Sequence, residues 1–496
     1  MNKIGFDNDL YIKTQSEKIA ERIANFGGKL YLEFGGKLFD DHHASRVLPG
    51  FKPDSKLQML RKIREDVEII LVINAGDIEN NKMRSDIGIT YDTDVLRLID
   101  MFRGMDFYVG GVVIAQFSGQ PSAEAFGNKL KSSGMKVYYH YPIEGYPLNV
   151  DHIVSEEGFG KNDYIETSRP LVVITAPGPG SGKMATCLSQ LYHDYRRGIS
   201  AGYAKFETFP IWNLPLKHPV NLAYEAATAD LNDVNMIDPY HYDAYGTPAV
   251  NYNRDVEIFP VLRSIFELIT NGHCPYKSPT DMGVNMAGNC ISDNDAVCAA
   301  AKEEIIRRYF KALCDKRKGR GSQSTIDKLE LLMKQAVVTV DDRKVVRAAL
   351  DRSAEVDNTP AVAIELPDGQ IVTGKTSDLL GPASAALLNA LKKMENMERS
   401  VHLINPEAIE PIQRLKTGFL GNRNPRLHSD EVLVALSISA SQSEIAERAM
   451  ARLADLRGCE AHSTVILSQV DDDVYRKLGV NLTCEPNYNS KSLYHK

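Results

Sequence analysis

Short apolar runs rich in branched residues alternate with stretches of helical periodicity from the N-terminus to Phe206. This alternation is typical of an α/β fold with a Rossmann-like, mostly parallel sheet, because each strand is followed by a helix that covers the sheet. The apolar runs predict strands at residues 29–34, 68–73, 111–117, 136–140, 171–175 and 201–206. The helical patterns between them fall at residues 54–65, 93–103, 122–131 and 184–195.

The pattern changes after Phe206. Residues 213–256 are rich in Pro, Tyr, Asn and Asp and have little periodicity, which is typical of functional loops or lids. Amphipathic patterns then predict a helical middle domain, with helices at residues 258–270 and 295–316.

Strands and helices alternate again from residue 357, which predicts a C-terminal α/β or α+β domain. Its strands are predicted at residues 361–365, 370–373, 431–437 and 463–467, and a helix at residues 383–394. We therefore predict three domains. They are a Rossmann-like domain over residues 1–256, a helical domain over 257–356 and the C-terminal domain over 357–496.

The chain has 496 residues, and 58 Lys and Arg against 65 Asp and Glu give it a net charge of -7. This balance provides no overall attraction to nucleic acid or to an anionic membrane, so we expect neither as a partner. The apolar runs are too short to span a bilayer, and the first residues lack the apolar run of a signal peptide. Because the 7 cysteines show no paired short spacing, we expect free thiols in a cytoplasmic protein.

The strongest candidate for a ligand site is the glycine-rich turn Ala-Pro-Gly-Pro-Gly-Ser-Gly-Lys at residues 176–183, between a predicted strand and a predicted helix. Such a turn directs backbone N–H groups and a helix N-terminus at an anion. The alternative is a tight strand-to-helix turn without a ligand. The predicted phosphate-binding residues are Gly178, Gly180, Ser181, Gly182 and Lys183.

This turn departs from the regular P-loop pattern at two positions. Pro177 stands where the pattern requires Gly, and Met184 stands where it requires the Ser or Thr that ligates Mg²⁺. A literal match to the pattern occurs at Gly369–Thr376, but its middle residues read as one arm of a hairpin with a Pro-Asp-Gly turn. We therefore predict phosphate binding at the first turn and not at the second.

Polar residues also follow other predicted strands, and in a parallel sheet the carboxyl ends of the strands share one edge. Asp77 is placed either to orient Mg²⁺ or to cap a helix. Lys205 and Glu207 are predicted to reach the substrate, so the candidate catalytic residues are Lys183, Asp77, Lys205 and Glu207. Further candidates for substrate binding in the same cleft are Lys37, Asp41, His43, Asp238 and Arg254. The spacing of His and Cys predicts no resident metal site.

Three long motifs carry a resemblance to a known family: the run that begins TAPGPGSGKMATC and ends NMIDP, EFGGKLFDDHHASRVLPGF upstream of it, and YKSPTDMGVNMAG downstream. With these motifs the chain resembles, over nearly its whole length, a bacterial family catalogued as domain of unknown function 1846. The resemblance implies an α/β N-terminal part, a helical insert and a C-terminal α/β part. It implies no particular reaction, so no catalytic residue is transferred from it.

Our leading hypothesis is a nucleotide- or phosphate-dependent enzyme that transfers or activates a phosphoryl group on a small polar metabolite, because phosphoryl transfer needs mainly positioning and charge neutralisation. The expected cofactor is ATP or another nucleotide with Mg²⁺, and the expected partner is a small phosphorylated ligand. The alternatives are a sensor that binds a phosphorylated metabolite or nucleotide without turnover, and an oligomeric scaffold. In each case we expect a homo-oligomer.

Overall fold

The structure is a computed structural model that describes residues 3–36, 38–39, 41–84, 87–398 and 400–489. The chain forms two compact units, one over residues 4–300 and the other from residue 301 onward. Lys37, one of the predicted substrate-binding residues, lies outside the described residues.

The N-terminal unit consists of strands and helices in alternation. Its strands are β1 (Leu30–Phe34), β2 (Val67–Asn74), β3 (Met83–Arg84), β4 (Ile89–Thr90), β5 (Tyr108–Ala115), β6 (Val137–Tyr139), β7 (Leu171–Thr175), β8 (Gly202–Phe206), β9 (Asn235–Ile237), β10 (Val250–Tyr252) and β11 (Gly283–Val284). Its helices are α1 (Asn8–Asn25), α2 (His42–Val47), α3 (Ser55–Lys62), α4 (Ala75–Glu79), α5 (Tyr91–Gly104), α6 (Pro121–Ser132), α7 (Val150–Ile153), α8 (Lys183–Arg196), α9 (Pro219–Ala227), α10 (Pro239–Tyr245), α11 (Asn253–Ile269) and α12 (Pro279–Met282).

Seven of these strands form one sheet in the order β11-β8-β1-β7-β2-β5-β6. All described pairings in this sheet are parallel, and Leu30 of β1 lies between Leu171 of β7 and Gly202 of β8. Strands β1, β7 and β8 are buried along their full length, as expected for a parallel sheet covered on both faces. The predicted α/β class with a mostly parallel sheet is confirmed.

The core of this unit fixes the position of α8. Leu188 and Leu191 of that helix pack into one cluster with Ile70 and Val172 of the sheet and Phe259 of α11. Because protein cores are close-packed, α8 cannot shift along the sheet without opening cavities. Its N-terminus is therefore held at the carboxyl edge of the strands.

The segment over residues 213–256, predicted as irregular loop, contains regular structure. It holds α9, α10 and the antiparallel pair β9–β10, in which Met236 lies opposite Asn251. These elements are too short for hydrophobic periodicity to reveal, and side chains stabilise their ends. Asp238, for example, accepts a hydrogen bond from the backbone N–H of His241 at the start of α10 (3.1 Å).

The C-terminal unit begins within a run of helices and continues into a small sheet. The helical middle part comprises α13 (Asn294–Arg317), α14 (Gln323–Ala336) and α15 (Lys344–Ala354). The following helices are α16 (Pro382–Met394), α17 (Pro406–Arg414), α18 (Ser429–Ala440), α19 (Glu444–Ala451) and α20 (Gln469–Leu478). The strands are β12 (Ala361–Glu365), β13 (Ile371–Lys375), β14 (Glu460–Ser463) and β15 (Asn481–Cys484).

The C-terminal sheet has the order β13-β12-β14-β15 and is mixed, because only β14 and β15 pair in parallel. β12 and β13 form the predicted hairpin, with Ile364 opposite Val372 and the N–H of Leu366 bonded to the carbonyl of Gln370 (2.8 Å). The literal P-loop match therefore lies largely in β13, as predicted, where its backbone pairs with β12 in the sheet.

The predicted strand at residues 431–437 is wrong, because this segment belongs to α18. A continuous apolar run fits a strand and a buried helix equally well. The helix is favoured by its first turn, where the Glu431 carboxylate accepts from the N–H of His428 (2.8 Å) in a capping box. The strand predicted at residues 463–467 lies earlier in the chain, as β14.

None of the helices formed by the described residues is both long enough and apolar enough to cross a membrane.

A buried arginine organises the C-terminal unit. The Arg343 side chain is 1% exposed, and its guanidinium pairs with Glu303 (2.9 Å) and Glu460 (2.5 Å). It also donates to the carbonyls of Ala461 (2.9 Å) and Asn481 (2.8 Å). One side chain thus connects the helical part of this unit to β14 and β15.

We expect Arg343→Met to destabilise the protein by about 3–5 kcal/mol, because removing one member of a buried ion pair leaves its partners without compensation. The matched control is Arg347→Met, since that side chain is 71% exposed and its ion pair with Asp351 contributes at most about 1 kcal/mol. Urea unfolding followed by circular dichroism measures both. Equal, small effects of the two substitutions would show that Arg343 is not essential to the unit.

Candidate functional site

The glycine-rich turn lies at the carboxyl edge of the parallel sheet, between β7 and α8. Gly180 and Gly182 adopt left-handed backbone conformations (φ 75° and 96°), which glycine tolerates without strain. α8 then begins at Lys183. The side chain of Asn74, at the end of β2, donates to the carbonyl of Gly180 (3.4 Å) and joins the turn to the neighbouring strand.

The turn presents backbone donors that the fold does not use. Within the described residues, the N–H groups of Gly178, Gly180, Ser181 and Gly182 meet no acceptor, and no side chain caps the start of α8. Lys183 likewise forms no ion pair with any of the described residues. Proteins commonly bind anions with free N–H groups, a helix dipole and a nearby cation, and this turn has all three features.

Two hydroxyl groups beside the turn also have no partner among the described residues. The Ser181 residue is 1% exposed and Thr186 is 0% exposed, yet neither Oγ atom makes a hydrogen bond. Leaving a buried hydroxyl unpaired costs about 1–3 kcal/mol. Native structures pair nearly all such groups. The buried hydroxyls of Thr167 and Thr208 are unpaired as well, so the two beside the turn are notable for their position next to unpaired backbone donors.

Thr186 lines a small pocket, which we call the inner pocket. It lies beyond the carboxyl ends of β5 and β6, and we define it by Gln116, His140, Tyr141, Tyr146, Gly182 and Thr186. Burial lowers the pKa of His140 to about 4, so its imidazole is neutral at pH 7. The inner pocket therefore offers neutral hydrogen-bonding groups close to the start of α8.

A second group of polar side chains lies on the same edge, where β8 ends. This charge cluster consists of Lys205, Glu207, Tyr252 and Asp255. The Lys205 ammonium pairs with Asp255 (2.6 Å) and Glu207 (3.1 Å) and contacts the Tyr252 hydroxyl. That hydroxyl also lies 2.8 Å from Glu207 Oε1 and donates to it.

The charge cluster holds a proton where an enzyme could use it. Burial raises the pKa of Glu207 from 4.5 to about 7, against the opposing charge of Lys205, and its side chain remains 22% exposed. Burial acts against the charged form of Lys205, but the carboxylates of Asp255 and Glu207 prevail and raise its pKa. Glu207 is thus a titratable acid near neutrality beside a permanent cation, which is the arrangement expected of a general acid or base.

The charge of Glu33 in β1 acts on both the charge cluster and Tyr146 of the inner pocket. Its carboxylate accepts from the Tyr203 hydroxyl (2.6 Å), and its charge is among the causes that raise the pKa of Lys205. Tyr146 lines the inner pocket, and its pKa is raised mainly by burial and to a smaller extent by the charge of Glu33. β8 is two strands from β7 in the sheet order, a separation of about 10 Å at the usual strand spacing.

The remaining predicted residues have partners within the protein. Asp77 lies in the first turn of α4 and pairs with Lys82 (3.1 Å). Asp41 accepts from the N–H of Ala44 (3.1 Å) at the start of α2 and pairs with the buried Lys56 (2.8 Å). Asp41 thus caps α2, whereas α4 is capped by Asn74, and Asp77 forms an ion pair instead of the cap that was its predicted alternative role.

His43, Asp238 and Arg254 likewise contact other side chains. The His43 ring packs edge-on against Phe209, with 5.3 Å between ring centroids. Asp238 caps α10, as described above, and also accepts from the Thr280 hydroxyl (2.6 Å). Arg254 pairs with Asp233 (2.6 Å). No described contact brings Asp238 to the glycine-rich turn.

Several site residues escaped the sequence analysis. Thr186 reads as one residue of an ordinary helix, and only its missing hydrogen-bond partner distinguishes it. Tyr252 and Asp255 fall where no strand or helix was predicted, so nothing placed them beside Lys205. Glu33 lies within an apolar strand, and a charge in that position was the one available signal. Among the described residues, no group of three or more His, Cys, Asp or Glu could hold a metal ion.

The pKa of Glu207 predicts a pH dependence of stability. The folded protein keeps the proton up to about pH 7, whereas a carboxyl with the ordinary pKa of 4.5 releases it earlier, so this contribution to stability is lost as the pH rises between these values. Glu207→Gln cannot titrate and should show no such loss. We therefore expect the wild-type Tm to fall relative to that of Glu207→Gln between pH 4.5 and 7. A difference that stays flat or reverses would contradict the raised pKa.

Comparison with known proteins covers both parts of the chain. The family model described as domain of unknown function DUF1846, N-terminal, matches residues 4–337, and its C-terminal counterpart matches residues 341–494. A UPF0371 protein of Streptococcus sanguinis strain SK36 is 57% identical over 496 residues, covering 100% of both chains. A UPF0371 protein of Streptococcus pyogenes serotype M5 strain Manfredo is 56% identical over the same length, also with 100% coverage. The chain therefore belongs to the DUF1846 family.

Proposed function

We propose that this protein is a phosphate- or nucleotide-dependent enzyme that transfers or activates a phosphoryl group on a small polar metabolite. The proposal rests on one observation above all: the unpaired N–H groups and the two unpaired buried hydroxyls of Ser181 and Thr186 at the start of α8. A phosphoryl group carries several acceptor oxygens and a negative charge, which match these donors and the helix dipole.

In this proposal the glycine-rich turn and Lys183 hold the phosphoryl group and offset its charge. Phosphoryl transfer depends mostly on positioning and charge neutralisation, and fixed donors provide both without reorganisation. The separation of about 10 Å between the ends of β7 and β8 suits a small metabolite that reaches from the turn to Glu207.

Glu207 is the proposed general base. It accepts the proton of the substrate hydroxyl as that oxygen attacks the terminal phosphorus of a nucleotide donor. The P–O bond to the rest of the donor breaks, and the shortened nucleotide leaves with the electron pair of that bond. A pKa of about 7 suits the proton transfer near neutral pH. Lys205 positions Glu207 through their ion pair, and Asp255 holds Lys205 in turn. Both of these residues act through Glu207 and need not touch the substrate.

The second candidate function is a sensor that binds a phosphorylated ligand without turnover. Met184 favours it, because this residue stands where a P-loop enzyme has the hydroxyl ligand of Mg²⁺. The pairing of Asp77 with Lys82 favours it as well, since Asp77 was the candidate for orienting Mg²⁺. The two functions share the anion site and differ at Glu207.

Binding is tested by thermal shift with inorganic phosphate, sugar phosphates and nucleotides, with and without Mg²⁺. A ligand at a hundred times its Kd should stabilise the wild type by about 2.7 kcal/mol. Lys183→Ala should reduce this shift, whereas Lys129→Ala, on the exposed side of α6, should leave it unchanged. If no phosphorylated compound shifts the Tm of the wild type, the proposal is wrong.

Thr186→Val separates a ligand-binding hydroxyl from a structural one. Valine has the same shape and removes an unpaired buried group, so the free protein should keep or gain stability. The shift produced by the phosphorylated ligand should nevertheless fall, because one donor to the phosphoryl group is lost. A free protein that is destabilised by about 1 kcal/mol or more would indicate that the hydroxyl serves the fold instead.

Turnover distinguishes the enzyme from the sensor. For the compound that binds, phosphoryl release or transfer is followed with the wild type and with Glu207→Gln, which keeps the size of the side chain but cannot accept a proton. The enzyme requires turnover that Glu207→Gln reduces by at least about a hundredfold while the ligand-induced Tm shift remains. Binding by both proteins with turnover by neither supports the sensor.

A further inference from the structure

A larger cleft opens next to the inner pocket. This outer cleft has a volume of about 450 Å³ and is lined by Phe117, Ser118, Gly119, Tyr141, Pro142 and Lys161. Tyr141 lines both the outer cleft and the inner pocket, so the two adjoin at this residue. The volume lies within the range of sites for small molecules and cofactors.

Aromatic rings form the apolar part of the outer cleft. The rings of Phe117 and Tyr141 lie 6.5 Å apart between centroids and are inclined at 59°. If the planar ring of a ligand packs on the face of one of these two side chains, the other side chain presents its edge to that ring. Such edge-to-face contacts between aromatic rings are favourable. A sugar phosphate has no planar ring and gains little from such a surface.

These rings are held in place by the ends of two adjacent strands. Phe117 follows β5 and packs on Tyr139 of β6, with 4.6 Å between ring centroids. The N–H of Tyr141 donates to the side chain of Asn162 (2.8 Å). A rigid aromatic surface loses little conformational entropy when a ligand binds, so its contact area contributes to affinity.

A cation accompanies the rings. The Lys161 ammonium lies 5.7 Å from the centroid of the Tyr141 ring and forms no ion pair within the described residues. Its exposed side chain can approach an acceptor oxygen or nitrogen at the edge of a nucleobase. Ring faces beside a cation recur where proteins bind nucleobases.

We propose that the ligand of this site is a nucleotide whose phosphate lies at the start of α8 and whose base packs against Phe117 and Tyr141 in the outer cleft. The inference rests on the proposed function for its phosphate site and adds the class of the ligand. The buried, unpaired hydroxyl of Thr186 marks the phosphate end, and the aromatic outer cleft marks the base end.

The experiment compares the affinities of AMP, GMP, CMP and UMP with those of ribose 5-phosphate and inorganic phosphate by isothermal titration calorimetry on the full chain. We expect at least one nucleotide to bind the wild type about tenfold more tightly than ribose 5-phosphate, because stacking of the base adds to the phosphate contacts. Phe117→Leu should reduce this advantage and leave the affinity for ribose 5-phosphate unchanged, because Phe117 lines the outer cleft and is not among the residues of the inner pocket. Tyr141→Leu should reduce the advantage as well.

Tyr108→Leu is the matched control. This tyrosine is exposed at the amino end of β5, the opposite edge of the sheet from the outer cleft, so the substitution should leave every affinity unchanged. If one of the two leucine variants fails to fold, the other variant still tests whether the base packs on these rings. The wild-type affinities for nucleotides and ribose 5-phosphate still test whether the base contributes to binding.

The outcomes separate this proposal from the one it rests on. If ribose 5-phosphate binds the wild type as tightly as every nucleotide, the assignment of a nucleotide is wrong and the phosphate site stands. If the advantage of the nucleotide survives both leucine substitutions, the base binds elsewhere and the proposal is overturned. If none of the six compounds binds, the proposed function itself fails.

Discussion

The run of unused N–H groups at the start of α8 is the feature on which the rest of the candidate site depends. β7 is buried on both faces, and α8 packs into the same core through Leu188 and Leu191, so neither element can move to satisfy these donors. The glycine-rich turn between them is short, and its two prolines supply no N–H. The fold thus keeps these donors fixed and, among the described residues, without an acceptor, in a turn that is partly exposed at Gly180.

The charge cluster illustrates a second constraint, which is the energetic cost of burying more carboxylates than cations. One cation, Lys205, faces two carboxylates, Asp255 and Glu207, and a third carboxylate, Glu33, lies near. Neutralising every carboxylate would require more positive charge than the cluster holds. Burial disfavours the charged form of Glu207 and outweighs the attraction of Lys205, and the nearby charge of Asp255 adds to this effect. The pKa of Glu207 therefore rises to about 7, and burial in this cluster produces a carboxyl group that titrates near neutral pH.

The sequence predicted those features that local pattern determines. The short apolar run Leu171–Thr175, followed at once by the glycine-rich turn, predicted a buried strand, and the structure has β7 over the same residues. The segment at residues 431–437 shows where pattern is insufficient, since its apolar run suits a helix or a strand and the His428–Glu431 capping box decided the outcome. Thr186, Tyr252 and Asp255 were beyond prediction for a different reason. Their significance lies in their surroundings in three dimensions. The spacing of residues along the chain does not show that Thr186 lacks a hydrogen-bond partner or that Tyr252 and Asp255 contact Lys205.

Two clusters of polar side chains in the C-terminal unit contrast with the start of α8 in how fully their hydrogen-bonding groups are used. All five N–H groups of Arg343 are used, by Glu303, Glu460, Ala461, Asn481 and Thr483. His428, Asp471 and Ser468 resemble a catalytic triad in composition, but the Ser468 and Ser429 hydroxyls both donate to Asp471 and none of the three groups is left to activate a nucleophile. At the start of α8 the opposite holds, because two buried hydroxyls and several backbone donors lack acceptors among the described residues. The buried hydroxyls of Thr167 and Thr208 are unpaired as well, so an unpaired hydroxyl alone does not identify a binding group. At the start of α8 it coincides with unpaired backbone donors, a helix N-terminus and a pocket, and this coincidence makes the site a candidate.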